Sequence, residues 1–164
     1  MNDRKKKIIL WDLGNVLIQE VHSEFFNFVY GAIDSHSISR DSFDVKMSQI
    51  INESFYGRLD FAGTLAAIAD FCGLPAESLT RIVEKVRANN YNRELLERII
   101  SMSNDFEIGI ISDLSQVGYY VVNNNLSSLL SLCKPENVFI SIFYHLTKIK
   151  EGKEFFTLVL DKIS

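Results

Sequence analysis

Ile8-Ile9-Leu10-Trp11-Asp12-Leu13-Gly14-Asn15-Val16-Leu17 is the stretch that decides the fold. Ile8 to Trp11 is a short apolar run bounded by polar positions, the pattern of a strand buried in a parallel sheet. It ends in an aspartate followed by a tight Gly-Asn turn. In open α/β sheets the ligand crevice lies outside the carboxyl ends of the strands, which would aim Asp12 into it. A carboxylate there can attack phosphorus and help to bind Mg²⁺. The same residue can instead cap the next helix or close an Asx-turn with Asn15.

Two further runs, Ile108 to Ile111 and Val138 to Ile142, predict parallel strands of the same kind. Leu95, Leu96, Ile99 and Ile100 form one apolar stripe at helical spacing, and Phe155, Phe156, Val159, Leu160 and Ile163 form another within Glu151 to Ile163. Strands alternating with helices imply a doubly wound α/β architecture. From Val21 to Asn92 the pattern is helical throughout. Leu65, Ile68, Ala69 and Cys72 make one stripe, Gly73-Leu74-Pro75 breaks the chain, and Leu79, Ile82, Val83 and Val86 begin the next. A crossover needs far fewer residues, so residues 21–92 read as a helical cap inserted into a core of residues 1–20 and 93–164.

The 164 residues fit one domain, and 47% apolar against 23% charged residues predicts a packed core. A net charge of −4 offers no general attraction to nucleic acid. The basic cluster Arg4 to Lys7 reads as a solvated tail. Cys72 and Cys133 are isolated, without zinc-like spacing, and are expected to be buried thiols in a reducing compartment. Asp12 interrupts the only run resembling a signal peptide, and no apolar stretch is long enough to span a bilayer; the expected location is cytoplasmic.

The first stretch resembles motif I of the haloacid dehalogenase-like (HAD-like) superfamily, in the sugar-phosphatase and epoxide hydrolase-like branch whose strand ends in Phe-Asp-Leu-Gly-Asn-Val. The resemblance implies a Rossmann-like parallel sheet with helices on both faces and a helical cap. It makes Asp12 the phosphoryl-accepting nucleophile and, with the Gly14 backbone carbonyl, a ligand of Mg²⁺. Many members carry an acid two residues after the nucleophile. Gly14 stands there and has no proton to give.

Ile108-Gly109-Ile110-Ile111-Ser112-Asp113-Leu114-Ser115 resembles motif II. A hydroxyl and main-chain amides at a helix start suit a phosphate oxygen, although such a stretch also serves simply as an N-cap. The resemblance implies phosphate binding by Ser112 and Asp113, with the Asp113 charge weakening it. His145 to Phe156 resembles the lysine segment of motif III, and the distance to Phe156 selects Lys150 over Lys148. Phe55-Tyr56-Gly57-Arg58-Leu59-Asp60-Phe61 resembles a cap turn of this branch, with Arg58 expected in solvent.

Family members continue into a fourth strand whose acidic residues complete the magnesium site, whereas this sequence stops at Ser164. The expectation is therefore a Mg²⁺-dependent phosphatase of small phosphate monoesters that is weak or inactive as this chain. The alternatives are a non-catalytic module binding a phosphorylated ligand or protein, and a remnant without function. A first strand lacking that neighbour would favour a homodimer, another chain or a covering helix at its edge.

Overall fold

The computed structural model describes residues 7–18, 21–33, 38–87 and 91–163. The basic residues at 4–6 lie outside them. Three parallel strands, β1 (Ile8–Trp11), β2 (Glu107–Ser112) and β3 (Val138–Ile140), form a sheet in the order β1-β2-β3. The register sets Trp11 opposite Ile110 and Ser112 opposite Ile140, so Asp12 and Ser112 emerge at the same end. Side chains alternate between two faces, as strand geometry requires. Ile108, Ile110 and Ile140 join the larger apolar cluster, whereas Ile111 and Phe139 pack with Phe155 and Val159 of the last helix, α9 (Gly152–Ile163). Helices thus cover both faces, and the chain is an α/β protein with a Rossmann-like sheet.

Between β1 and β2 run α1 (Val21–Ala32), α2 (Arg40–Phe55), α3 (Phe61–Cys72), α4 (Ala76–Arg87) and α5 (Arg93–Met102). Their boundaries follow local chemistry. Ser39 and Asp60 accept hydrogen bonds from Ser42 N–H and Gly63 N–H at the starts of α2 and α3, and such caps satisfy amides that have no partner within the helix. One continuous apolar cluster joins Phe25, Met47, Ile68 and Val83 of these helices to Ile108 and Ile110 of the sheet. Burial pushes the thiols of Cys72 and Cys133 up to about 11, in keeping with their reading as buried apolar groups.

After β2 come α6 (Gln116–Asn125) and α7 (Ser127–Leu130). The third strand is shorter than the sequence predicts. It stops at Ile140, and Ser141–Tyr144 form a helical turn, α8. Tertiary bonding decides this: buried Ser141 accepts from Leu114 N–H (3.0 Å) through its hydroxyl, which also donates to the Leu114 carbonyl (3.1 Å). The apolar run Ile142-Phe143-Tyr144 has no strand alternation to resist that turn.

Candidate active site

Asp12 leaves the end of β1 half-buried, and its carboxylate is held from two sides. Ser112 Oγ donates to Oδ1 at 2.9 Å, and the Lys148 ammonium forms an ion pair with Oδ2. Ser112 Oγ in turn receives the N–H groups of Leu13 and Gly14, each at 3.3 Å. Tight backbone turns follow: Leu17 and Ile18 N–H both donate to the Leu13 carbonyl, and Asn15 adopts a left-handed φ of 58°. Asp12 therefore neither caps a helix nor turns back on Asn15; Ser115 caps α6 instead, its Oγ accepting from Gly118 N–H at 3.1 Å.

The lysine selected by spacing is not the one at the site. Lys150 Nζ donates to Asn52 Oδ1 at 3.0 Å in an exposed contact, while Lys148 reaches Asp12 and, at 3.5 Å, the Ile111 carbonyl. The turn explains the exchange. The Glu151 carboxylate accepts from Thr147 N–H and Thr147 Oγ1 (both 3.0 Å), and Thr147 Oγ1 accepts from Lys150 N–H (3.2 Å). These bonds wind residues 147–151 so that Lys148 faces the strand ends and Lys150 faces α2. The Thr147 N–H, together with the Tyr56 hydroxyl at 2.8 Å, holds the Glu151 carboxylate below its usual range. Glu151 therefore organises the loop.

Asp113 lies beside the site with both carboxylate oxygens accepting from Lys148 N–H (2.8 and 2.9 Å). Burial, and to a lesser degree the Asp12 charge, raises its pKa against the pull of that amide. Asp12, Gly14, Asp113 and Lys148 line a cleft of about 310 Å³ with Asn15, His22 and several apolar side chains. Its carboxylates, Asp12 and Asp113, are oxygen donors of the kind that suits Mg²⁺. Among the described residues no three His, Cys, Asp or Glu side chains group to hold a metal ion. Arg58 pairs with Glu53 at 3.0 Å in solvent, as expected.

His22 carries no motif in the sequence, yet its Nε2 lies 2.7 Å from Ser115 Oγ and its ring packs 5.2 Å from Phe55. Burial lowers its pKa from 6.5 to about 4. Between these values the unfolded chain binds a proton that the folded chain does not, so stability present above pH 6.5 is lost as the pH falls to 4. The loss is about 3 kcal/mol on the linkage scale. Urea melts of the protein and of His22→Gln should thus diverge: the wild type loses more stability than the variant on going from neutral pH to about pH 4.

No family model matches the chain, and no curated protein matches it in sequence. Similarity appears in three dimensions. A HAD-family enzyme from Bacteroides thetaiotaomicron superposes with a TM-score of 0.74 at 14% identity, over 97% of this chain and 78% of that one. The fold is haloacid dehalogenase-like. The same HAD enzyme in complex with magnesium and inorganic phosphate gives a TM-score of 0.67 at 15% identity, over 95% of this chain and 78% of that one. A predicted HAD-like hydrolase from Porphyromonas gingivalis gives 0.66 at 16%, over 95% and 75%. The HAD-like fold brings β1, β2 and the Lys148 loop together at one end of the sheet, where the cleft lies. Among the described residues no helix is long and apolar enough to cross a membrane.

Proposed function

We propose that this protein is a HAD-like phosphomonoester hydrolase in which Asp12 attacks phosphorus. The observation that carries the reading is the Asp12 carboxylate held between Ser112 Oγ and the Lys148 ammonium at the mouth of a cleft large enough for a small ester. One hydroxyl fixes the attacking carboxylate, and one cation orients it and attracts the phosphate, which is how positioning and charge lower a phosphoryl-transfer barrier. The long contacts of Leu13 and Gly14 N–H to Ser112 Oγ leave those amides ready to take a phosphate oxygen instead. Lys148 replaces Lys150 in the phosphate role.

The neighbour that binds magnesium and phosphate supports the same chemistry for this site. Asp12 and the Gly14 carbonyl, with Asp113 alongside, would hold Mg²⁺, which supplies charge neutralisation for the phosphoryl oxygens. Both Asp113 oxygens already accept from Lys148 N–H, which weakens its hold on the ion, and turnover is expected to be slow. In this reading residues 21–92 act as the cap above the core of residues 1–20 and 93–164, and the protein works in the cytoplasm. A second copy or another chain adding beside β1, which among the described residues pairs with β2 alone, belongs to the same proposal.

Phosphate release from a panel of monoesters, with Mg²⁺ and with EDTA, tests the reading against Asp12→Asn prepared identically. Turnover that disappears with EDTA and in the variant is the expected result. Phosphate binding that survives EDTA, with no release above the Asp12→Asn background, would favour the non-catalytic phosphate-binding module.

A further inference from the structure

The inner end of the cleft carries a glycine that the fold does not require. Gly118 is the third residue of α6; it is buried and lines the cleft together with Ile18, His22, Phe55 and Leu114. Glycine in a helix is less stable than alanine, because it gives up more backbone freedom on folding. Elsewhere in the protein packing imposes a glycine: a Cβ at Gly109 would sit 2.6 Å from Leu10 Cδ2 and 2.8 Å from the Asn137 carbonyl oxygen. A Cβ at Gly118 would meet Leu114 Cδ2 at 3.5 Å and Ser115 Oγ at 3.7 Å. These are ordinary contacts, and both partners belong to the turn just before Gly118, not to a facing helix. Its φ is not positive either, unlike those of Gly57 and Gly73. Alanine would therefore fit the helix and its packing, and would narrow the cleft.

The surroundings indicate what that width serves. His22 Nε2 lies 2.7 Å from Ser115 Oγ, which also accepts from Gly118 N–H at 3.1 Å, and the His22 ring packs 5.2 Å from Phe55. An imidazole, a phenyl ring and the bare backbone at Gly118 thus meet at one end of the cleft. Phe55 follows Ser54, whose Oγ accepts from Gln116 N–H at 2.8 Å. The phenyl ring is tied through that residue to the start of α6. A flat ring suits a slot between an aromatic face and a stretch of helix without a side chain, and such a slot is the part of a pocket that sets shape.

We infer that Gly118 determines which substrates this site accepts: it admits phosphate monoesters whose leaving alcohol carries a ring, held between Phe55 and the α6 backbone. The inference rests on the phosphatase reading above and deepens it. An aromatic ring and the C–H face of a sugar ring share the chemistry that stacks on Phe55, and the test separates them.

kcat/KM is measured by phosphate release for benzyl phosphate, glucose 6-phosphate and ethyl phosphate in the wild type, Gly118→Ala and Gly31→Ala. All three esters release primary alcohols, so they differ chiefly in the group offered to the slot. In the wild type at least one ring ester should exceed ethyl phosphate by about tenfold or more, and the leading ring identifies its kind. One methyl group at Gly118 should cut that ring-to-ethyl ratio by at least about tenfold. Gly31 lies in α1, is not among the residues lining the cleft, and has nothing within 4 Å of its would-be Cβ, so Gly31→Ala should leave the ratio unchanged.

Urea midpoints at or above that of the wild type are expected for both variants. Ethyl phosphate matching both ring esters in the wild type, or an unchanged ratio in Gly118→Ala, overturns the inference. A lowered midpoint in Gly118→Ala also overturns it, since the glycine would then be structural. If nothing is hydrolysed above the Asp12→Asn background, the phosphatase reading falls alone, and calorimetry with phenylphosphonate and methylphosphonate decides the slot. A preference for phenylphosphonate that is lost in Gly118→Ala supports it; equal binding of the two, or no binding, overturns it.

Discussion

Lys148→Ala is expected to lower kcat/KM for phosphate monoesters by roughly a hundred- to a thousandfold, the scale on which removal of one preorganised charge donor acts. Lys150→Ala should cost less than about fivefold, because exposed polar contacts are worth at most about 1 kcal/mol. The asymmetry follows from geometry. Lys148 is 19% exposed and paired with Asp12, while Lys150 donates to Asn52 on the surface. Truncating Lys148 removes both the cation that orients the attacking carboxylate and a positive charge facing the phosphate. Asp12 itself is 40% exposed and can rehydrate, so the variant should fold and the loss should appear in turnover. Steady-state assays of the two variants at one Mg²⁺ concentration check the pair. A larger loss in Lys150→Ala would mean that the 147–151 turn is wound differently when substrate binds.

That pair also shows where sequence reading succeeds and where it stops. The β1 and β2 runs are legible because a strand buried on both faces needs an unbroken apolar segment, and a polar residue at its end has only the crevice to face. Asp12 and Ser112 meet for that reason, 100 positions apart. Lys148 and Lys150 are two residues apart on a turn, where spacing to an aromatic pair carries no information about which side chain points inward. The deciding bonds, from Thr147 to Glu151, are of capping type, and a Thr followed closely by an acid before a helix is the signal that could have revealed them.

His22 had no such signal. Its place in the cleft depends on how α1 docks against Ser115 and Phe55, which is a matter of tertiary packing and leaves no local pattern. The overlong third strand has the same origin, since a buried hydroxyl at Ser141 bonding to Leu114 ends it. Resemblance to motif sequences placed the lysine that meets Asp12 to within two residues. The last two residues belong to the loop and its contacts with α2.

Those contacts give the second large expected effect. The turn after α2 grips the lysine loop: Tyr56 donates its hydroxyl to Glu151, its carbonyl meets the His145 ring nitrogen, and Gly57 lies against the Ile142 carbonyl. Gly57 has φ 64°, and a Cβ there would sit 2.4 Å from that carbonyl oxygen, which is main chain and cannot simply rotate away. Gly73 has almost the same φ, 65°, with nothing within 4 Å of its would-be Cβ. Gly73→Ala should therefore cost only the left-handed conformational penalty, roughly 1–2 kcal/mol. Gly57→Ala adds the overpacking penalty, for a total of roughly 2–5 kcal/mol. Urea denaturation of both variants measures the difference. Because the displaced segment, α8 and the loop after it, leads directly to Lys148, Gly57→Ala should also lose activity in the folded fraction, while Gly73→Ala retains it. Equal destabilisation by the two substitutions would show that the α2–α3 turn does not press on the lysine loop, and the proposed link between cap and active-site lysine would go with it.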